Sequence, residues 1–302
     1  MSASSHIQNV AVLGGGTMGN GIAHVFAQNG FNVTLVDTTD DFLKRAVATI
    51  TGNLDRQVKK AVISEAEKAA TLSRLKTSTI TTDVAGCELV IEAVFENLEV
   101  KRDLLGKVDR VLGPKAIIAS NTSSLPITLL GSATGRPDRF VGMHFMNPVP
   151  VMKLVEVIRG YSTTDAITKT VFDLSKQLGK VPVEVNDYPG FVANRILMPM
   201  INEAVISLHE GVAGVEEIDT VMKLGMAHPM GPLQLADFIG LDVCLSIMRV
   251  LHDGLGNSKY APCPLLVNMV VSGNLGVKSG SGFYKYTAGS KELVVADNFR
   301  KG

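Results

Sequence analysis

Two groups of residues in this chain have the types and spacing that chemistry requires. In the first, His144 stands near the end of the apolar run FVGMHF, and Glu156, twelve residues on, stands inside KLVEVI. A carboxylate between Val155 and Val157 is costly to bury unless it is paired, and the nearest candidate partner is His144 on the preceding strand. An imidazole held by a carboxylate suits general acid and base work, because its unperturbed pKa lies near neutrality. Ser123 sits in Ser120-Asn121-Thr122-Ser123-Ser124, directly after a buried strand, and Asn194 opens a later helix, facing the crevice expected between two domains. Both are donors suited to a reacting oxygen on which charge develops. The bland alternative for these residues is a structural strand histidine and a polar turn.

The second group is Gly14, Gly16 and Gly19, a G-x-G-x-x-G that follows Val10-Ala11-Val12-Leu13. That short run, β-branched and without polar alternation, is the pattern of a strand buried on both faces of a parallel sheet. The first glycine permits a tight turn, the second lets backbone approach a pyrophosphate, and the third lets the following helix pack closely on the sheet. Met18, Ile22, Val25 and Phe26 share one face of that helix, whose unpaired amides and positive dipole end favour a diphosphate. Asn32–Val36 is the second strand, and Asp37 ends it 18 residues after Gly19, where a carboxylate accepts from both hydroxyls of an adenosine ribose. A 2′-phosphate there would meet like-charge repulsion of about 4 kcal/mol, for unit charges about 4 Å apart at an effective dielectric of about 20. The next residues, Thr38 and Thr39, offer no arginine, so the expected cofactor is NAD and not NADP. With a hydride acceptor expected, His144 becomes the base of an alcohol oxidation, Glu156 the group that fixes its tautomer, and Ser123 and Asn194 the donors to the reacting oxygen.

The elements that must position these groups follow from patterning. After Asp37 a polar helical stretch from about Asp41 to Lys76, with no strand in it, reads as a hairpin carrying Arg56, Lys59 and Lys60. By composition alone it is a solvated hairpin, although its cations would also suit a phosphate-bearing substrate. Expected strands follow at Thr79–Thr82, Leu89–Val94, Ala116–Ser120, Phe140–Phe145, Lys153–Ile158 and Val181–Val185, with a helix at Asp165–Leu178 before the last. Strands alternating with helices make an α/β, Rossmann-type doubly wound sheet, mostly parallel, with the later strands antiparallel at one edge. From Pro189-Gly190 onward only helical spacing appears, at Asn194–Glu210, Val215–Leu224, Leu233–Asp253 and Leu265–Val271. Residues 1–187 therefore read as a dinucleotide-binding domain and 188–302 as an all-helical domain whose apolar surplus suits dimerisation.

A chain of 302 residues with 46% hydrophobic and 19% charged residues has ample material for two cores. Its 29 basic residues balance 29 acidic ones, so nothing points to nucleic acid or a membrane surface as partner. Cys87, Cys244 and Cys263 have no metal-ligand or CxxC spacing and suit reduced thiols. MSASSHIQN lacks the pattern of a signal sequence and no apolar run reaches membrane-spanning length, so a cytoplasmic protein is expected.

The segments VLGGGTMGNGIAHVFA, IEAVFENLEVK, SNTSSL, HFMNPVPVMKLVEVI, DYPGFVANRI and MKLGMAHPMGPLQLADFIGLD together resemble the 3-hydroxyacyl-CoA dehydrogenase family, closely its short 3-hydroxybutyryl-CoA dehydrogenase branch. The likeness implies His144 and Glu156 as the catalytic pair, with Ser123 and Asn194 contacting substrate. It implies cofactor contacts at Gly14, Gly16, Thr17, Met18, Gly19 and Asp37, and further along at Glu96, Lys101, Ser123 and Asn147, with Glu96 close to the nicotinamide ribose. It also implies that Arg56, Lys59 and Lys60 hold the CoA moiety of an acyl-CoA substrate. A short-chain L-3-hydroxyacyl-CoA, NAD as cofactor and a homodimer formed through the helical domain complete the expectation. Two other readings share the motifs: a dehydrogenase of a polar hydroxy compound without CoA, of the carnitine or gulonate kind, and a non-catalytic dinucleotide-binding protein like a lens crystallin. The intact set of His144, Glu156, Ser123 and Asn194 argues against the latter.

Overall fold

The computed structural model describes residues 7–287, 289–290 and 292–300, so most of the amino-terminal segment read for a signal lies outside the described residues. The chain divides into two compact units, Met1–Tyr188 and Pro189–Gly302. Among the described residues, no helix is long and apolar enough to cross a membrane.

The first unit opens with β1 (Asn9–Leu13), α1 (Thr17–Gln28) and β2 (Asn32–Val36), followed by the hairpin α2 (Asp40–Lys59) and α3 (Glu65–Ser73) and by β3 (Leu75–Ser78). It continues through β4 (Leu89–Glu92), α4 (Leu98–Asp109), β5 (Ile117–Ser120), α5 (Ile127–Gly131), β6 (Phe140–Phe145), β7 (Leu154–Arg159), α6 (Asp165–Gln177) and β8 (Val181–Asn186). The eight strands form one sheet in the order β3-β2-β1-β4-β5-β6-β7-β8, every neighbouring pair parallel except β6 and β7. β4, β5 and β6 are buried at every position, as strands covered on both faces must be.

The strand expected at Thr79–Thr82 lies instead at Leu75–Ser78, beginning at the end of the stretch read as strand-free, and Thr81–Val84 is a turn of 3-10 helix. β3 is the sheet's edge and exposes Lys76 and Thr77, so it carries no apolar run to betray it. The hairpin before it is locally well specified. Leu43, Ala46, Ile50 and Leu54 give α2 a buried stripe, the Thr39 side chain caps it, and Ser64 and Glu67 form a capping box on α3.

Two glycines fix the turn between β1 and α1. Gly14 has φ +97°, and a Cβ there would stand 2.7 Å from the Ala93 carbonyl oxygen beyond β4. A Cβ on Gly19 would stand 1.7 Å from the Gly14 carbonyl oxygen, so only glycine lets the first turn of α1 pack this closely.

In the second unit α7 (Ala193–His209), α8 (Val215–Thr220), α9 (Pro232–Ile239), α10 (Leu241–Leu255) and α11 (Pro264–Val271) enclose a core of their own. Gly240, at φ +101°, divides the helix expected at Leu233–Asp253 into α9 and α10. This unit also holds a short antiparallel pair, β9 (Tyr284–Lys285) and β10 (Val294–Val295). Two buried carboxylates fasten it: Asp237 accepts from the amides of Phe283 and Tyr284 and from the Tyr286 hydroxyl, and Asp219 accepts from the Tyr284 hydroxyl. Cys87, Cys244 and Cys263 are free and buried.

Gly19→Ala is expected to destabilise the first unit by about 1–3 kcal/mol, the range for overpacking a close contact. Urea denaturation of parent and variant checks this, and equal stability would contradict the account of the turn.

Candidate active site

β6 and β7 run antiparallel in a register that sets His144 directly opposite Glu156. Facing residues of an antiparallel pair point their side chains to the same face, within contact distance. His144 Nδ1 lies 2.8 Å from Glu156 Oε2, and both side chains are nearly buried, at 7% and 3% exposed. A carboxylate only accepts, so Nδ1 carries a proton and donates it, which leaves Nε2 with its lone pair in the neutral ring. Ser123 Oγ lies 3.1 Å from Nε2. The serine comes from the turn after β5, and Asn121 of that turn accepts the Phe145 amide at 2.9 Å, tying the turn to the strand that carries the histidine.

The glycine turn leaves the carboxyl end of β1, and the serine turn leaves the same end of β5, two strands away in the parallel part of the sheet. The strand order reverses between β1 and β4, the switch point outside which ligands bind in open α/β sheets. Gly16, the residue before α1, gives the helix no side-chain cap, and a Cβ added there would meet nothing within 4 Å. Uncapped amides facing open space fit the diphosphate of a dinucleotide. Asp37 Oδ2 accepts the Gly15 amide at 2.6 Å, while Oδ1 accepts the Thr38 amide at 2.6 Å, which places the carboxylate beside the turn. Thr17 and Asn147 are exposed and Met18 is half-buried.

Glu96 and Lys101 occupy a connected position. Lys101 is 1% exposed, with Nζ 2.6 Å from Glu92 Oε1 and 3.1 Å from Glu96 Oε2. Burial raises the Glu96 pKa, but the Lys101 cation and the hydroxyls of Thr122 and Ser124 outweigh it and hold the carboxyl below its usual value. A chain bearing a helical EVK segment gives no sequence sign that its lysine is buried. Glu92, fully buried at the end of LVIE, is the signal that one was needed.

A separate cavity of about 550 Å³ in the first unit is lined by Asn53, Arg56 and Gln57 of α2, by Lys60 just after it, by Lys153 after the HFMNP segment and by Lys180. None of its lining residues is acidic, and Lys59 does not line it. Beneath it His24, wholly buried, has Nε2 3.4 Å from Gln57 Nε2, and Gln57 accepts from Gln28 at 2.8 Å. Burial pushes the His24 pKa down to about 4, so the ring is neutral. The structure thus brings His144, Glu156, Ser123 and the Glu96–Lys101 pair into one linked set, and Arg56 and Lys60 into another. Asn194 belongs to the second unit, in the first turn of α7, and is 9% exposed.

Replacing Asp37 with alanine is expected to shrink the preference for NAD over NADP by tenfold or more, because the like-charge term at the 2′ position disappears. Initial rates with each cofactor check this, and an unchanged ratio would remove Asp37 from cofactor selection.

Residues 9–188 match the family described as 3-hydroxyacyl-CoA dehydrogenase, NAD binding domain, and residues 190–286 match 3-hydroxyacyl-CoA dehydrogenase, C-terminal domain. A 3-hydroxybutyryl-CoA dehydrogenase of Bradyrhizobium diazoefficiens is 56% identical over 280 residues, covering 93% of this chain and 96% of that one. The mitochondrial hydroxyacyl-coenzyme A dehydrogenase of Rattus norvegicus is 47% identical, over 93% of this chain and 91% of its own. The crystal structure of (S)-3-hydroxybutyryl-CoA dehydrogenase from Ralstonia eutropha is similar with a TM-score of 0.91 and 52% identity, over 93% of this chain and 99% of that one. Matched through both units and across nearly its whole length, this chain belongs to the 3-hydroxyacyl-CoA dehydrogenase family of oxidoreductases, and its first unit is that family's NAD-binding domain.

Proposed function

We propose that this protein interconverts L-3-hydroxybutyryl-CoA and acetoacetyl-CoA, with His144 as the acid and base. The observation that carries this is the Glu156–His144–Ser123 chain, which leaves Nε2 as the basic atom beside a hydroxyl donor. NAD, when bound, supplies the acceptor for the hydride that leaves the carbinol carbon. His144 Nε2 takes the substrate hydroxyl proton as the carbonyl forms, and in the reverse direction returns it. Glu156 stabilises the imidazolium so produced; its charge is already in place and needs no reorganisation. Ser123 Oγ donates to the substrate oxygen in the course of the reaction, and Asn194 is proposed as a second substrate contact on the resemblance of DYPGFVANRI. Glu96, Lys101, Thr17, Met18 and Asn147 are proposed near the cofactor on the same ground.

The cavity lined by Arg56, Lys60 and Lys153 supports a CoA substrate over a free hydroxy compound, since three cations without a carboxylate suit phosphate groups, while the buried Lys180 spends its ammonium on the Val149 and Met152 carbonyls. Exposed apolar side chains on the second unit, among them Val212, Leu224 and Met226, support its use as a dimer surface. A cytoplasmic location is part of the same proposal.

His144→Ala is expected to lower kcat for L-3-hydroxybutyryl-CoA by about 10²- to 10⁴-fold, with NADH affinity within twofold of parent. A variant that keeps parental turnover would remove His144 from the role of base. Lys60→Glu is expected to raise KM for the acyl-CoA about tenfold, one lost charge-assisted contact with phosphate, and to leave the NAD KM unchanged. Equal acyl-CoA KM values would detach the basic cavity from substrate binding. Sedimentation velocity is expected to give the mass of two chains, and a single-chain mass at micromolar concentration would contradict the dimer.

A further inference from the structure

Ser123 has to be aimed, and the turn that carries it lies outside any strand or helix. Three successive residues of that turn converge on one atom. Glu96 Oε1 accepts the Ser123 amide at 3.1 Å, the Ser124 amide at 3.2 Å and Ser124 Oγ at 3.0 Å, and it also accepts the Thr122 hydroxyl. Thr122 Oγ1 in turn accepts the Leu125 amide at 2.9 Å. The start of the turn is held separately, because Ser120 Oγ donates to Glu92 Oε2 at 2.6 Å. Both carboxylates meet the same ammonium, Lys101 Nζ, which also donates to the Val94 carbonyl at 3.2 Å. One buried cation on α4 therefore fixes two carboxylates, and the carboxylates fix both ends of the serine turn.

We propose that Glu96 and Lys101, with Thr122, are positioning residues for Ser123: they set its hydroxyl against His144 Nε2 and so act on the chemical step through the serine. This deepens the reading of the site as a hydroxyacyl-CoA dehydrogenase and rests on it. It gives Glu96 and Lys101 a task distinct from contact with the cofactor. Lys101 is suited to it because its ammonium is buried and already shared among two carboxylates and a carbonyl, with little capacity left for another partner. Misplacing a reacting group by about 1 Å can cost about 10²-fold in rate, so a turn held at this many points is what an aimed hydroxyl requires.

Two variants test this. Glu96→Gln cannot offer an oxygen both to Lys101 and to the turn. Thr122→Val keeps the shape of the side chain and removes the hydroxyl that bridges Glu96 and Leu125. Each is expected to lower kcat for L-3-hydroxybutyryl-CoA by about tenfold to a hundredfold, and Thr122→Val, at a residue with no part in cofactor binding, is expected to keep the acyl-CoA KM and NADH affinity by fluorescence titration within twofold of parent. Thr122→Ser, which restores the hydroxyl, is expected to return kcat to within threefold. Crystal structures of the variants are expected to place Ser123 Oγ beyond hydrogen-bond reach of His144 Nε2. Parental kcat in both variants, or in Thr122→Val a kcat loss matched by lost NADH affinity, would overturn the proposal, as would an unmoved serine. An inactive parent would count against the proposed reaction, while the serine position in the variant crystals would still decide the positioning role.

Discussion

The structure depends on one cross-strand pair. His144 and Glu156 meet because β7 turns back antiparallel beside β6 in a sheet otherwise built from parallel pairs, and because the register sets 144 opposite 156. Side chains alternate faces along a strand, so a slip of one residue would send the glutamate to the other face and leave both groups buried without partners. A buried carboxylate and a buried imidazole satisfy each other here at 2.8 Å, and removing either would strand the other. The reversal is thus both a structural necessity and the means by which one ring nitrogen is committed and the other left basic.

Around that pair the sheet's carboxyl edge gathers the remaining groups. The glycine turn after β1 is pressed against the segment after β4, and the turn after β5 is bonded to β6 through Asn121. Between them Glu92, Lys101 and Glu96 form a charged cluster in which the burial of Glu92 and Lys101 is tolerable only because the two charges pair at 2.6 Å, while the exposed Glu96 adds a second opposite charge 3.1 Å from the same ammonium. The cluster links the end of β4, the start of α4 and the serine turn, so two loops of the site share one electrostatic anchor.

Much of this was legible in the sequence, for identifiable reasons. VAVL, LVIE, IIAS and FVGMHF lie at the centre of the sheet, and burial on both faces writes itself as an unbroken apolar run. Glu156 drew attention because a carboxylate inside such a run has to be paired. Elements without that pressure were missed. β3 is an exposed edge of four residues, β9 and β10 are two residues each, and the break at Gly240 costs the sequence only one glycine in an apolar stretch. Long-range polar contacts were also illegible: the carboxylates of Asp219 and Asp237 bond partners more than 45 residues away by sequence, and nothing local announces them. Lys101 reads as a solvated helical lysine until the fold places Glu92 and Glu96 beside it.

The central claim is that Glu156 holds the Nδ1 proton of His144 and keeps Nε2 unprotonated, able to act as base. Long-range proton–nitrogen correlation spectra of protein labelled with nitrogen-15 at histidine, recorded with the imidazole neutral, read that tautomer directly. The account predicts the Nδ1-protonated form for His144, giving way to a mixture in Glu156→Gln. An Nε2-protonated ring in the parent, or a tautomer indifferent to the loss of the carboxylate, would contradict it.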